Sequence, residues 1–316
     1  MKLREIYELA VKMGIEKDVR GATEIERILT RSKKDFDKLE EKDRDFFDQE
    51  CLCNPFSDTR ILYGDGDAEI KSVICGVDME TQEVVLVDRL REKRNVDLII
   101  AHHPEGIGLA AMYQVMELQA DLLMRMGIPI NVAESILSSR ISEVQRGMMP
   151  LNHQRAVDAA RLLDIPLMCV HTAADNLVNE FMQTRIDEAA PGTLEDLIEV
   201  VTAVPEYRQA KILKAGPTLV VGDKKKRAGK VFVDFTGGTS GSAEAYQKME
   251  SAGVGTIVCM HIQEKHRENA KKHNINILIA GHMASDSLGL NLFLDQLESR
   301  GIEIIPAAGL IRVSRN

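Results

Sequence analysis

The 316-residue chain reads as an α/β protein. Two lobes of α/β layers with a mostly parallel sheet are expected, together with an N-terminal helical extension and a helical insert. Three observations predict this. After residue 68, apolar runs of four to seven residues rich in Val and Ile recur, the signature of strands buried on both faces. Amphipathic stretches separate several of these runs, and strand–helix alternation builds parallel sheets. Before about residue 50 the apolar period is helical instead.

Residues 1–53 form the extension. Leu3, Ile6, Tyr7, Leu9 and Ala10 repeat at helical spacing, and Lys33–Asp48 alternates in charge, so a solvated or subunit-facing helical surface is expected. Cys51 and Cys53 make a C-x-C pair with no second pair nearby, which does not make a zinc site. The first lobe spans 54–190, with strands at Ser72–Val77, Val96–Ala101 and Pro166–Val170 and a helix over Glu83–Arg94. Its helical insert, at about 108–163, turns at Gly127-Ile128-Pro129 and carries Met112, Met116, Met124, Met126, Met148 and Met149. Flexible thioethers at that density suit an adaptable core or a partner surface.

Turn chemistry at Ala190-Pro191-Gly192 opens the second lobe, 191–316. Its strands are expected at Thr218–Val221, Val231–Phe235, Gly255–Met260 and Asn276–Ala280, with a helix over Ser242–Ala252. The segment Gly222–Gly229, with Lys224, Lys225, Lys226 and Arg227, lies between two β-rich runs and reads as a hairpin tip with a solvated basic cluster.

Composition excludes several function classes. A formal net charge of −9 gives no pull toward nucleic acid, and 4% aromatic residues with no tryptophan leave little for base stacking. No apolar run reaches the roughly 18 residues of a membrane span. Met1–Gly14 lacks the apolar core of a signal peptide, and five cysteines are an odd, scattered set, so a cytoplasmic protein with reduced thiols is expected.

The chemistry lies in the histidines. Four of the eight sit at the ends of expected strands: His102 and His103 after Val96–Ala101, His171 after Leu167–Val170, and His282 after Ile277–Gly281. Open α/β sheets bind ligands outside the carboxyl ends of their strands, so three strands deliver four imidazoles to one edge. Asp175 follows His171 by four residues and Asp286 follows His282 by four, which places each pair on one helix face. Imidazole with carboxylate suits zinc, iron, manganese or nickel. Six such ligands exceed the three that one catalytic ion takes, and two divalent metal ions are the economical reading. His153, His261, His266 and His273 read as ordinary histidines, although His261 also follows an apolar run.

A second feature is Thr236–Ser242 after the strand Val231–Phe235. Gly237, Gly238, Ser240, Gly241 and Ser242 either cradle a substrate phosphate at a helix N-terminus or make a tight turn capped by Ser242.

These residues resemble the Nif-three-like family, the GTP cyclohydrolase 1 type 2 homologues. The likeness covers about residues 54–316 and rests on Cys75-Gly76-Val77-Asp78, Ile99–Pro104 with its His-His-Pro, His171–Asp175, the Thr236–Ser242 loop and Gly281–Asp286. It implies a two-lobed α/β fold with a dinuclear metal site, held by His102, His103, His171, Asp175, His282 and Asp286, and dimers assembling into a hexamer. Where the family has glutamate this chain has Asp286, one methylene shorter, and where it is apolar the chain has Glu105-Gly106. Glu105 is then a further ligand, a general base or a surface residue. The expected function is a metal-dependent hydrolase of a nucleotide-like or phosphorylated small molecule, with Asp175 or Glu105 moving the proton. The alternative is a non-catalytic metal-binding scaffold whose helices recruit a partner.

Overall fold

The computed structural model describes residues 1–316. The first sheet contains β1 (Thr59–Tyr63), β2 (Ser72–Gly76), β3 (Leu98–Ala101) and β4 (Leu167–Val170). The second contains β5 (Thr218–Val221), β6 (Lys230–Asp234), β7 (Val254–Cys259) and β8 (Asn276–Ile279), and β9 (Glu303–Pro306) follows. The first sheet has the order β1-β4-β3-β2-β9 and the second β5-β8-β7-β6. Each is parallel except for one antiparallel edge strand, β1 on β4 and β5 on β8. The α/β class and the mostly parallel sheets are as the sequence predicts.

Two strands escaped the pattern. β1 carries Thr59 and Arg60 at its start, and Arg60 is held by Asp48, so its polar residues broke the apolar run. β9 is four residues ending in proline, and it pairs Ser72 with Glu303 and Cys75 with Pro306. The end of the chain therefore returns to the first sheet, and the sheets do not divide at 191–316. β2, β3 and β4 are buried throughout, as expected, but β5 and β6 are half-exposed because they are edges.

Helices α1 (Leu3–Glu16) and α2 (Ala22–Lys38) make up most of the extension. α1 is no solvated appendage: Leu3, Ile6, Ala10 and Val11 enter the core of the first sheet. α2 buries only Ile25 and fits the solvated expectation. After α3 (Thr81–Arg91) comes the insert, with α4 (Gly106–Ala110), α5 (Leu118–Met126), α6 (Ile130–Met148) and α7 (Arg155–Leu162). Although inserted in the first half, α5 and α6 pack on the second sheet, where Leu123, Met126 and Leu137 share a core with Tyr246, Met249 and Ile257.

The remaining helices are α8 (Thr172–Ala189), α9 (Leu194–Thr202), α10 (Pro205–Ile212), α11 (Ala245–Ser251), α12 (Glu264–Lys272) and α13 (His282–Glu298). α8 and α13 form the seam between the sheets. Ala173, Ala174 and Leu177 of α8 face the first core and Val178, Met182 and Ile186 the second. In α13, Leu290, Phe293 and Leu294 face the first core and Ala284 and Leu288 the second. A helix buried on two sides has no single apolar stripe. Gly289 lets the pair touch: a Cβ there would lie 2.5 Å from the Ala174 carbonyl oxygen.

The expected hairpin at Gly222–Gly229 is not one, since β5 and β6 lie on opposite edges of their sheet. Its backbone caps α9 instead: Leu194 N–H donates to the Lys226 carbonyl and Glu195 N–H to that of Lys224. No helix is long and apolar enough to cross a membrane.

Candidate metal centre

Each expected ligand sits where a strand ends. His102 and His103 leave β3, His171 leaves β4 as the residue preceding α8, and His282 is the first residue of α13. Asp175 and Asp286 lie one helical turn further on, beside their histidines. The six side chains converge. His102 Nε2 is 3.4 Å from Asp175 Oδ1 and 3.5 Å from Asp286 Oδ1. Asp286 Oδ2 is 3.6 Å from His103 Nε2 and 3.5 Å from His282 Nε2, and Asp175 Oδ2 is 3.8 Å from His171 Nε2.

Three imidazoles are fixed from behind. His102 Nδ1 meets the Val170 carbonyl at 3.0 Å, His103 Nδ1 meets Asp78 Oδ1 at 2.6 Å, and His171 Nδ1 meets Asp58 Oδ2 at 2.8 Å. Each acceptor takes the Nδ1 proton and leaves a lone pair on Nε2 aimed inward, as the second shell of a metal site does. Those lone pairs face carboxylate oxygens with no hydrogen bond of their own: Asp175 Oδ1 and both oxygens of Asp286 are buried and unpartnered. Acceptors facing acceptors repel unless positive charge lies between them. The pKa directions agree. Burial opposes charge on His102, but Asp286 and Asp175 hold it well above the usual imidazole range. Burial opposes ionisation of Asp286, yet His102, His282 and His103 hold it low.

The cluster therefore fits a divalent ion. Ligands bound at about 2.1 Å in a tetrahedron stand about 3.4 Å apart, close to the separations here. Three sets bring their ligand atoms within 4.8 Å of one another: His102, His103 and His171; His103, His282 and Asp286; and His102, Asp175 and Asp286.

Glu105 does not join them. It precedes α4 and lies near Glu80, Asp78 and Arg155; burial, then Glu80, pushes its carboxyl up to about 7.

The cluster opens into a cavity of about 80 Å³ whose other wall includes Gly238, Ser240 and Gly241 of the glycine-rich loop, with Asp234 and His261. Gly237 and Ser242 do not line it, and α11 starts only at Ala245, so the loop does not deliver a helix N-terminus at Ser242. Gln119 of the insert holds the loop, donating from Nε2 to the carbonyls of Gly237 at 2.6 Å and Thr239 at 2.5 Å. A Cβ at Gly237 or Gly241 would lie 2.6 or 2.5 Å from Gln119 atoms, so these glycines serve that close fit. Two asparagines of α8 also hold the segment ahead of that loop: Asn176 Oδ1 accepts from the Thr236 hydroxyl, and Asn179 Oδ1 accepts from Phe235 N–H.

Sequence reasoning set His261 aside, yet its ring centroid lies 4.9 Å from that of His282. Its position after β7 was the signal. Asp58 gave none, because it meets its histidine from a distant loop, and Asp78 stood in the Cys75–Asp78 element with no sign that it would meet His103. Replacing Asp58 with alanine is expected to weaken metal binding about 10–100-fold with the fold retained. Chelator competition against the parent protein measures it, and unchanged affinity would remove Asp58 from the site.

Fold and cluster together define an α/β protein of two sheets with a histidine–carboxylate centre at its strand ends. Among solved structures, a NIF3 superfamily protein from Sphaerobacter thermophilus is 26% identical, with a TM-score of 0.73 over 80% of this chain and 92% of that one. Reduced HcgD from Methanocaldococcus jannaschii, 16% identical, shares the fold at a TM-score of 0.53 over 83% of this chain and 93% of that one. No family model matches the sequence, and no curated protein does. The chain is thus similar in fold and sequence to a NIF3 superfamily protein, in line with the resemblance read from its motifs.

Proposed function

We propose that the protein is a metal-dependent hydrolase that acts on a phosphorylated or nucleotide-like small molecule at two divalent ions. One observation carries the reading: buried, unpartnered oxygens of Asp175 and Asp286 face imidazole nitrogens at 3.4–3.6 Å. Two ions are favoured over one because His102, His103 and Asp286 each belong to two of the three ligand sets. Divalent ions bound there supply Lewis acidity and lower the pKa of water toward neutrality.

The chain's own residues do the rest. Asp58, Asp78 and the Val170 carbonyl keep the Nδ1 protons outward so that each Nε2 is free to bind. Gln119 fixes the glycine-rich loop across the cavity, where its backbone faces a substrate's anionic end. Ring-opening hydrolysis of GTP, which the family resemblance suggests, is one member of this class, and a homo-oligomer up to a hexamer is the expected assembly.

Protein loaded with manganese, zinc or iron is expected to hydrolyse generic phosphomonoesters or GTP. His171→Ala is expected to lower the rate at least about 100-fold, since a bound-metal contribution is several kcal/mol. Equal rates in parent and variant would contradict the assignment.

A further inference from the structure

A buried polar chain joins the N-terminal extension to the wall of the ligand cavity. Asp18 lies in the turn between α1 and α2 with its side chain fully buried, and the Arg20 side chain beside it is 7% exposed. Arg20 Nε donates to Asp18 Oδ1 at 2.9 Å and Arg20 Nη2 to Oδ2 at 2.8 Å. Asp18 Oδ2 also accepts from Asn176 Nδ2 at 3.1 Å. Asn176 is buried in α8 next to Asp175, and its Nδ2 donates a second time to the Gly14 carbonyl at 3.2 Å. Its Oδ1 accepts from the buried Thr236 hydroxyl at 2.7 Å, and Thr236 borders the cavity where the glycine-rich loop begins.

The direction of this chain is forced. Both partners of Asn176 Nδ2, a carboxylate paired with arginine and a backbone carbonyl, can only accept, so the amide cannot turn over. Oδ1 must face Thr236, and the single hydroxyl proton of Thr236 must point at it. On stability grounds a buried ion pair does no better than apolar side chains of similar volume. What Asp18 and Arg20 add is a fixed orientation for Asn176, in a network with every one of these contacts satisfied. α8 therefore carries a metal-ligand candidate at Asp175 and the anchor of Thr236 at the next residue. Neither Asp18 nor Asn176 borders the cavity, so both act on it through Thr236.

We propose that Asp18 and Asn176 are positioning residues, through which the N-terminal extension sets where the Thr236–Ser242 loop stands against the ligand cluster. This rests on the reading above, in which that loop meets a substrate's anionic end.

The test combines hydrogen exchange over residues 236–242 with calorimetric binding of inorganic phosphate to manganese-loaded protein. Asn176→Ala, Asp18→Asn and Thr236→Val each break the chain at a different link. Each is expected to speed exchange of the loop by about tenfold and to weaken phosphate binding by up to about tenfold, the size of one hydrogen bond. Manganese affinity, read by chelator competition, is expected to hold. Thr236→Ser, which keeps the hydroxyl, is expected to stay closer to the parent than Thr236→Val. Strand β3, which touches no link of the chain, is the reference, because a merely structural role would speed both segments alike. Loop exchange unchanged in Asn176→Ala or Asp18→Asn, or accelerated no more than that of β3, would overturn the proposal. Parent protein that binds no phosphate, or variants with a faster loop and parental phosphate affinity, would instead overturn the loop's anionic contact, while the exchange result still decides the positioning.

Discussion

Replacing Asp286 with alanine is expected to lower transition-metal affinity at least about 100-fold, the largest effect of any single substitution in the cluster. Its carboxylate lies within 3.6 Å of three imidazole nitrogens, on His102, His103 and His282, and neither oxygen has another partner. Asp286 also belongs to two of the three ligand sets, so its loss disturbs both proposed ion positions at once. Chelator competition with zinc or manganese reads the affinity, and circular dichroism checks that the variant is folded. A folded Asp286→Ala protein with parental affinity would show that the six side chains do not act as one centre.

Gly289→Ala is expected to destabilise the protein by about 1–3 kcal/mol and to weaken metal binding with it. The sign is informative because two effects compete. Helix propensity alone predicts a gain of about 1 kcal/mol for alanine over glycine. Against that, the new Cβ would lie 2.5 Å from the backbone oxygen of Ala174, which cannot rotate away. α8 and α13 must then separate, and these helices carry Asp175 and Asp286 with their histidines. Gly147 in α6 is the control, since a Cβ there meets nothing within 4 Å. Gly147→Ala is expected to be neutral or to stabilise by up to about 1 kcal/mol. Urea unfolding of both variants decides it; stabilisation by Gly289→Ala would mean that the helix seam is not tightly packed.

The centre itself was legible in the sequence because its logic is local. A buried strand that runs into His102, His171 or His282 fixes which sheet edge the imidazole occupies, and spacing of four fixes which helix face Asp175 and Asp286 share. Those rules use neighbours in the chain. The residues that orient the ligands follow no such rule: Asp58 reaches His171 across 113 positions, and Asp78 reaches His103 across 25. Tertiary packing decides those contacts. The same holds for the insert, whose α5 and α6 gave helical periods but no sign that they would cover the second sheet and clamp the Thr236–Ser242 loop through Gln119. β9 illustrates the limit at chain level. Four residues carry too little pattern to show that the end of the chain adds a strand to the first sheet rather than the second. The hairpin expected at Gly222–Gly229 failed because adjacency in sequence was taken for adjacency in the sheet, whereas β5 pairs with β8 and β6 with β7.

The central claim is that these six side chains hold two divalent ions. Elemental analysis of protein purified without a histidine tag or chelator tests it directly, for the parent chain and His282→Ala. The account predicts about two transition-metal equivalents per parent chain and fewer in the variant. A parent protein that contains none, and takes up none on titration with zinc, manganese, iron or nickel, would contradict it.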